Sequence, residues 1–197
     1  MGIQLHQLTC FLLLGLLIEQ LSGLSYHNYI QENIFKPAEM ENSGFLGESN
    51  RTAQGYVRGT PGPTLSPVTF AWGDLVTSVE DLARFQAALF SDRLLRAGTV
   101  NAMMAPDYNG RLLSFGYGWF VKHLFGRKCI AHSSSHPQGF SAHMEKYLPD
   151  DITIVVASNN LISHGLFSSA DLGATFISRS LAQLIFDQPL WFWAKVF

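Results

Sequence analysis

Between residues 117 and 158 the hydrophobic pattern changes period, and this limits the folds open to the chain. Apolar residues there alternate with polar ones, which sends successive side chains to opposite faces of an extended backbone. Tyr117–Val121, Arg127–Ala131, Phe140–Leu148 and Ile152–Ser158 read as four strands. Their connections are short, and Pro149-Asp150-Asp151 is a tight hairpin turn. Short connections join antiparallel neighbours, so these strands form a meander.

The flanks read as helices. Leu8 to Leu21 is an apolar run that predicts a mostly buried helix, closed by Ser22-Gly23. A secretory leader would carry basic residues ahead of the run, and Met1 to Gln7 has none. The run is also short for a membrane-spanning helix. Ser25 can cap a second helix from Tyr26 to Phe35, with Tyr26, Tyr29, Ile30 and Ile34 on one face and Lys36-Pro37 as its stop. Glu39 to Pro67, rich in Gly, Pro, Ser, Thr and Asn, reads as a long irregular segment with a short strand at Tyr56-Val57. Within it, Asn50-Arg51-Thr52 has the letters of a glycosylation site, a short pattern that chance supplies often.

Thr77-Ser78-Val79-Glu80 reads as a capping box before a helix whose Val79, Leu82, Phe85 and Leu89 share a face. Leu94 to Met104 predicts another short helix, ended by Pro106. A closing helix from Ser168 to Phe186 presents Leu172, Phe176, Ile177, Leu181, Leu184 and Ile185 as its buried stripe. Trp191 to Phe197 ends the chain in aromatics that suit either core packing or a covered surface. The expected fold class is therefore α+β: an antiparallel β-sheet flanked by helices.

At 197 residues the chain suits one domain, divided into a helix pair (1–37), an irregular segment (38–70), a helical part (71–105), the strands (114–160) and the closing helix (168–186). A formal charge of −2 and no basic run give no reason to expect nucleic acid as a partner. Two cysteines, Cys10 and Cys129, exclude a disulfide framework. His132, His136 and His143 match no zinc spacing, and no metal or other cofactor is implied. Asp74 and Asp81 read as a turn residue and a first-turn helix charge. The compartment is not encoded in any recognisable signal.

Several blocks, in this order, carry a resemblance. They are Phe11 to Glu19 with Ser22-Gly23 and Tyr26 to Met40; Gly73-Asp74-Leu75-Val76-Thr77-Ser78-Val79-Glu80-Asp81-Leu82; Gly116-Tyr117-Gly118-Trp119; His132-Ser133-Ser134-Ser135-His136-Pro137-Gln138-Gly139-Phe140; and Ser158-Asn159. Together they resemble the later part of the class C β-lactamase, D-alanyl-D-alanine carboxypeptidase and esterase family of penicillin-binding-fold serine hydrolases. The resemblance implies amide, ester or β-lactam hydrolysis through an acyl-serine, on a small-molecule or peptide substrate. It implies that His132 stands at the third-motif position and that the Ser135 backbone N–H is an oxyanion donor. Ser133, Ser134, Gly139 and Phe140 would line the substrate strand. Ser134 stands where the family has glycine, and the spacing from His132 to Gly139 is one residue longer than usual.

The family's Tyr-x-Asn motif falls on His6 and Leu8 here, so it is degraded. Residues three before the lysines are Asn33, Trp119, Phe125, His143 and Phe192, so no Ser-x-x-Lys is present. Tyr26-His27-Asn28 has the letters of Tyr-x-Asn but sits inside the second helix. The expectation is a truncated family member, inactive as this chain, with a non-catalytic peptide- or partner-binding relative as the alternative. Self-association through exposed apolar surface is expected of either.

Overall fold

A computed structural model of the chain describes residues 2–48, 52–63, 70–105, 108–109, 114–161 and 172–189. Asn50 and Arg51 of the glycosylation pattern, Pro106, residues 168–171 of the expected closing helix and the aromatic end at 191–197 lie outside these residues. The fold is mixed α and β with antiparallel sheet, as the hydrophobic periods require. It divides into two compact units, one of Met1–Ala53 with Thr64–Leu94 and one of Gln54–Pro63 with Leu95–Phe197.

The first unit begins with α1 (Gly2–Ser22), then α2 (Tyr26–Ile30), a π-helical turn (Gln31–Phe35) and α3 (Lys36–Ala38). Ser25 caps α2 by accepting from the Asn28 N–H. The helix does not stop at Lys36-Pro37. Pro37 lacks an N–H and its ring crowds the preceding turn, and a widened turn answers both. The Lys36 N–H bonds to the Gln31 carbonyl, and the chain leaves only at Glu39, with φ 59°. Phe35, Ala38, Met40, Phe45 and Ala88 form this unit's core, with Tyr26, Ile30, Ile34 and Phe85 packed around it. A two-stranded ribbon of β1 (Gly44–Phe45) and β4 (Leu75–Val76) leads into α4 (Val79–Leu89).

Two further expectations fail in this unit. The N-cap of α4 is Ser78, whose Oγ accepts from the Asp81 N–H, so the cap lies one residue later than the box suggests. Asp81 is the first-turn helix charge expected, and it is buried: it is 0% exposed and receives the Asn42 N–H, the Ser43 hydroxyl and Arg84. The second failure is α1. Phe11 (50% exposed), Leu13, Leu14, Leu17 and Leu21 (78%) face solvent. Gly15 is buried, and a Cβ there would lie 2.5 Å from the Ala71 Cβ. Among the described residues no single helix is long and apolar enough to cross a membrane.

The second unit holds a six-stranded antiparallel sheet. Its order is β10 (Ile152–Ser158), β9 (Phe140–Tyr147), β8 (Arg127–His136), β7 (Phe120–Leu124), β6 (Ser114–Phe115) and β5 (Tyr108–Asn109). β2 (Tyr56–Val57), β3 (Thr60–Pro61) and β11 (Asn160–Leu161) make a smaller sheet, in which β11 runs parallel to β2. The two remaining helices are α5 (Ala97–Met103) and α6 (Leu172–Ile185). Cys129, Tyr147, Ile154, Val156, Ala174 and Ala182 form the core between α6 and the sheet. Burial drives the Cys129 thiol pKa up to about 12, so it is an inert packing group.

α6 turns a different face to the sheet from the one expected. Ala174, Ser178 and Ala182 point inward, while Phe176, Ile177, Leu181, Leu184 and Ile185 are exposed. Close approach of a helix to a pleated surface selects small residues, which overrides the rule that large apolar groups go inside.

Candidate active site

The site is built by one strand outrunning its neighbour. The β7–β8 hairpin turns through Phe125 and Gly126, both with positive φ (54° and 73°), the pair of values a two-residue primed turn needs. β8 pairs with β7 only from Arg127 to Ala131, the last pair being Phe120 with Ala131. On its other side it pairs with β9 as far as His136 with Phe140. From His132 to His136, β8 therefore has one open edge among the described residues.

Alternation decides which groups face that edge. The Lys128 and His136 carbonyls are turned to the β9 side, where they accept from the Leu148 and Gly139 N–H groups. Even-numbered backbone groups thus point to β9, and the N–H groups of Ser133 and Ser135 point to the open edge.

Side chains alternate as well. His132 and Ser134 occupy the exposed face, and Ser133 and Ser135 the face covered by α6. His132 has its ring 6.1 Å from that of Phe120. The protein around the ring disfavours its charged form and His143 adds repulsion, so its pKa is lowered. Gly139 shapes the β8–β9 turn with φ 103°, and a Cβ there would lie 2.3 Å from the Tyr56 backbone nitrogen. The Gln138 carbonyl fits between Gly55 and Gly62, where a Cβ would approach it to 2.1 and 2.0 Å. The β2–β3 hairpin thereby holds the turn in place. Phe140, half-buried, opens β9 opposite His136. His6 and Leu8 lie on α1, in the other unit.

Sequence reading missed the polar groups beneath β8. Ser133 Oγ is 2.7 Å from His143 Nδ1, and His143 Nε2 is 3.3 Å from Glu145 Oε2. Glu145 Oε1 accepts from Ser178 Oγ at 2.8 Å and from the Tyr147 hydroxyl at 3.1 Å. Thr175 Oγ1 lies 3.3 Å from His143 Nδ1. His143 and Glu145 are each 1% exposed. Burial alone would raise the Glu145 pKa, but the hydrogen bonds from His143, Ser178 and Tyr147 outweigh it and the pKa is lowered. The available signal was spacing: His143, Glu145 and Tyr147 recur at period two, and antiparallel pairing sets His143 beside Ser133. His132 and His136 lie on the opposite face from His143, so the three do not converge.

A chain with this antiparallel sheet and these helices has the fold of the penicillin-binding proteins. Its structure superposes on the octameric penicillin-binding protein homologue from Pyrococcus abyssi with a TM-score of 0.78, at 23% identity over 92% of this chain and 42% of that one. It superposes on the D-amino acid amidase from Ochrobactrum anthropi SV3 with a TM-score of 0.73, at 19% identity over 90% and 56%. Penicillin-binding protein 4* of Bacillus subtilis (strain 168) is 28% identical over 174 residues, which is 77% of this chain and 38% of that protein. The Beta-lactamase family model matches residues 6–174, and the chain belongs to that family of serine hydrolases. It spans well under half the length of the Bacillus relative.

Proposed function

We propose that this chain supplies the strand side of an acyl-transfer centre, and that it is the later part of a hydrolase acting on an amide, ester or β-lactam through an acyl-serine. In this reading Ser135 offers its backbone N–H to the oxyanion, which needs donors fixed before charge develops. His132 stands beside the substrate, and Ser133, Ser134, Gly139 and Phe140 line the strand. The carrying observation is the open edge of β8, with the Ser135 N–H turned into it. The family reaction also needs a serine activated by a neighbouring lysine, and the sequence has no Ser-x-x-Lys. This chain alone therefore does not run that reaction.

Incubation with a chromogenic cephalosporin and with a D-alanyl dipeptide is expected to give no turnover. Adding a separately expressed family segment that carries Ser-x-x-Lys and Tyr-x-Asn is expected to restore it. Turnover by the chain alone would sink the reading.

The same edge favours a second reading. An extended peptide can add to an open strand through main-chain hydrogen bonds without any chemistry. Saturable peptide binding, with no gain of turnover on complementation, would select it.

Self-association belongs to this proposal. The exposed apolar residues of α6 form a patch that water disfavours. Sedimentation of the chain is expected to show mass rising with concentration, and Leu181→Lys with Leu184→Lys is expected to shift it toward monomer.

A further inference from the structure

We propose that Ser133, His143 and Glu145 form a nucleophile, base and anchor relay, and that Ser133 Oγ is acylated by small carboxylic esters with good leaving groups. The inference goes beyond the strand-edge reading, which gives Ser133 only a place along the substrate.

Three observations carry it. The first is sequence of contact: hydroxyl, imidazole and carboxylate are joined at 2.7 and 3.3 Å, on neighbouring strands locked in register. The second is direction. An ionised carboxylate only accepts, so the His143 proton sits on Nε2 and the lone pair on Nδ1 faces the Ser133 hydroxyl. Glu145 is itself held by Ser178 and Tyr147, so the imidazole cannot swing to a different partner cheaply. The third is access. His143 and Glu145 are sealed from water, whereas Ser133 is half-buried and stands on the open stretch of β8. Thr175 Oγ1, at 3.3 Å, shares Nδ1 at a longer distance than Ser133.

The chemistry balances with water as the only co-reactant. Ser133 Oγ bonds to the ester carbonyl carbon as its proton passes to His143 Nδ1. The C–O bond to the leaving group then breaks, and His143 returns that proton to the departing oxygen. Water attacks the acyl-serine, gives a proton to His143 and releases the carboxylic acid, and Ser133 regains its hydrogen. The backbone N–H groups of Ser133 and Ser135, both turned to the open edge, are the donors available to the oxyanion.

The test uses the full chain and p-nitrophenyl acetate, with nitrophenolate release followed by absorbance and the adduct located by peptide mass spectrometry. One acetyl group on Ser133 is expected. Ser133→Ala, a small change at a half-buried position, is expected to abolish adduct and release while melting like the parent. His143→Gln is expected to slow acylation by about 10²-fold, the usual contribution of a positioned base. Ser91→Ala, on the other unit, is expected to change nothing. If His143→Gln does not fold, the Ser133→Ala comparison decides. Acetylation elsewhere, or unchanged release from folded Ser133→Ala, overturns the relay. Cephalosporin turnover that survives Ser133→Ala would instead sink the strand-edge reading while an acetyl adduct on Ser133 kept this one.

Discussion

Replacing Glu145 by alanine is expected to destabilise the unit that contains it by about 3–5 kcal/mol, the range for removing one partner of a buried charged pair. The carboxylate is 1% exposed and accepts from His143, Ser178 and Tyr147. Alanine leaves all three donors buried and unanswered, and the carboxylate's volume becomes a void. For a chain of this size the thermal midpoint of that transition should fall by roughly 10 °C. Glu145→Gln keeps the volume and one acceptor, so its loss should be smaller.

The pH profile separates charge from packing. The folded pKa of Glu145 is lowered, so its contribution to stability is present above the ordinary carboxylate range. That contribution is lost as pH falls through the depressed folded value. Glu145→Gln should therefore lose more stability at neutral pH than at acid pH, and its acid limb should be shallower. Urea unfolding of the two proteins across that range measures it. Equal losses at every pH would mean that the carboxylate's charge contributes nothing.

Gly139→Ala is expected to be as disruptive by a different route. Its φ of 103° lies where side chains are strained, and the new Cβ would meet the Tyr56 nitrogen at 2.3 Å and carbonyl oxygen at 2.5 Å. Both are backbone atoms of β2 and cannot rotate away. Left-handed strain and overpacking each cost about 1–3 kcal/mol, so a loss of roughly 3 kcal/mol follows. The relief open to the protein is to push the β8–β9 turn off the β2–β3 hairpin. Amide exchange at Tyr56, Gly62 and Gly139 should then speed up together, well before global unfolding. Unchanged exchange there would show that the hairpin does not hold the turn.

Three of the four expected strands were legible because alternation is a strong signal once one face is buried, while the strand expected at Tyr117–Val121 lies three residues later, at Phe120–Leu124. β9 begins and β10 begins and ends as the pattern indicates, and β8 runs on past Ala131 because Ser133 and Ser135 keep the alternation in polar form. The helices were less legible because size was taken as a guide to burial. On α6 the small residues Ala174, Ser178 and Ala182 face the sheet, and on α1 the small residue Gly15 is the buried one among residues 9–22. The open stretch of β8 and its turn were readable as a run of letters from His132 to Phe140. Its partners were not, because His143 and Glu145 belong to the next strand, and Thr175 and Ser178 join them only when the helix is laid down.

β10 closes one side of the large sheet, and Ile152 to Ser158 contains neither charge nor proline. Among the described residues that border pairs on one side only, it has no charge to repel an incoming strand, and its outer backbone groups are a template for one. A chain with such a border is expected to yield less soluble material as its concentration during refolding rises.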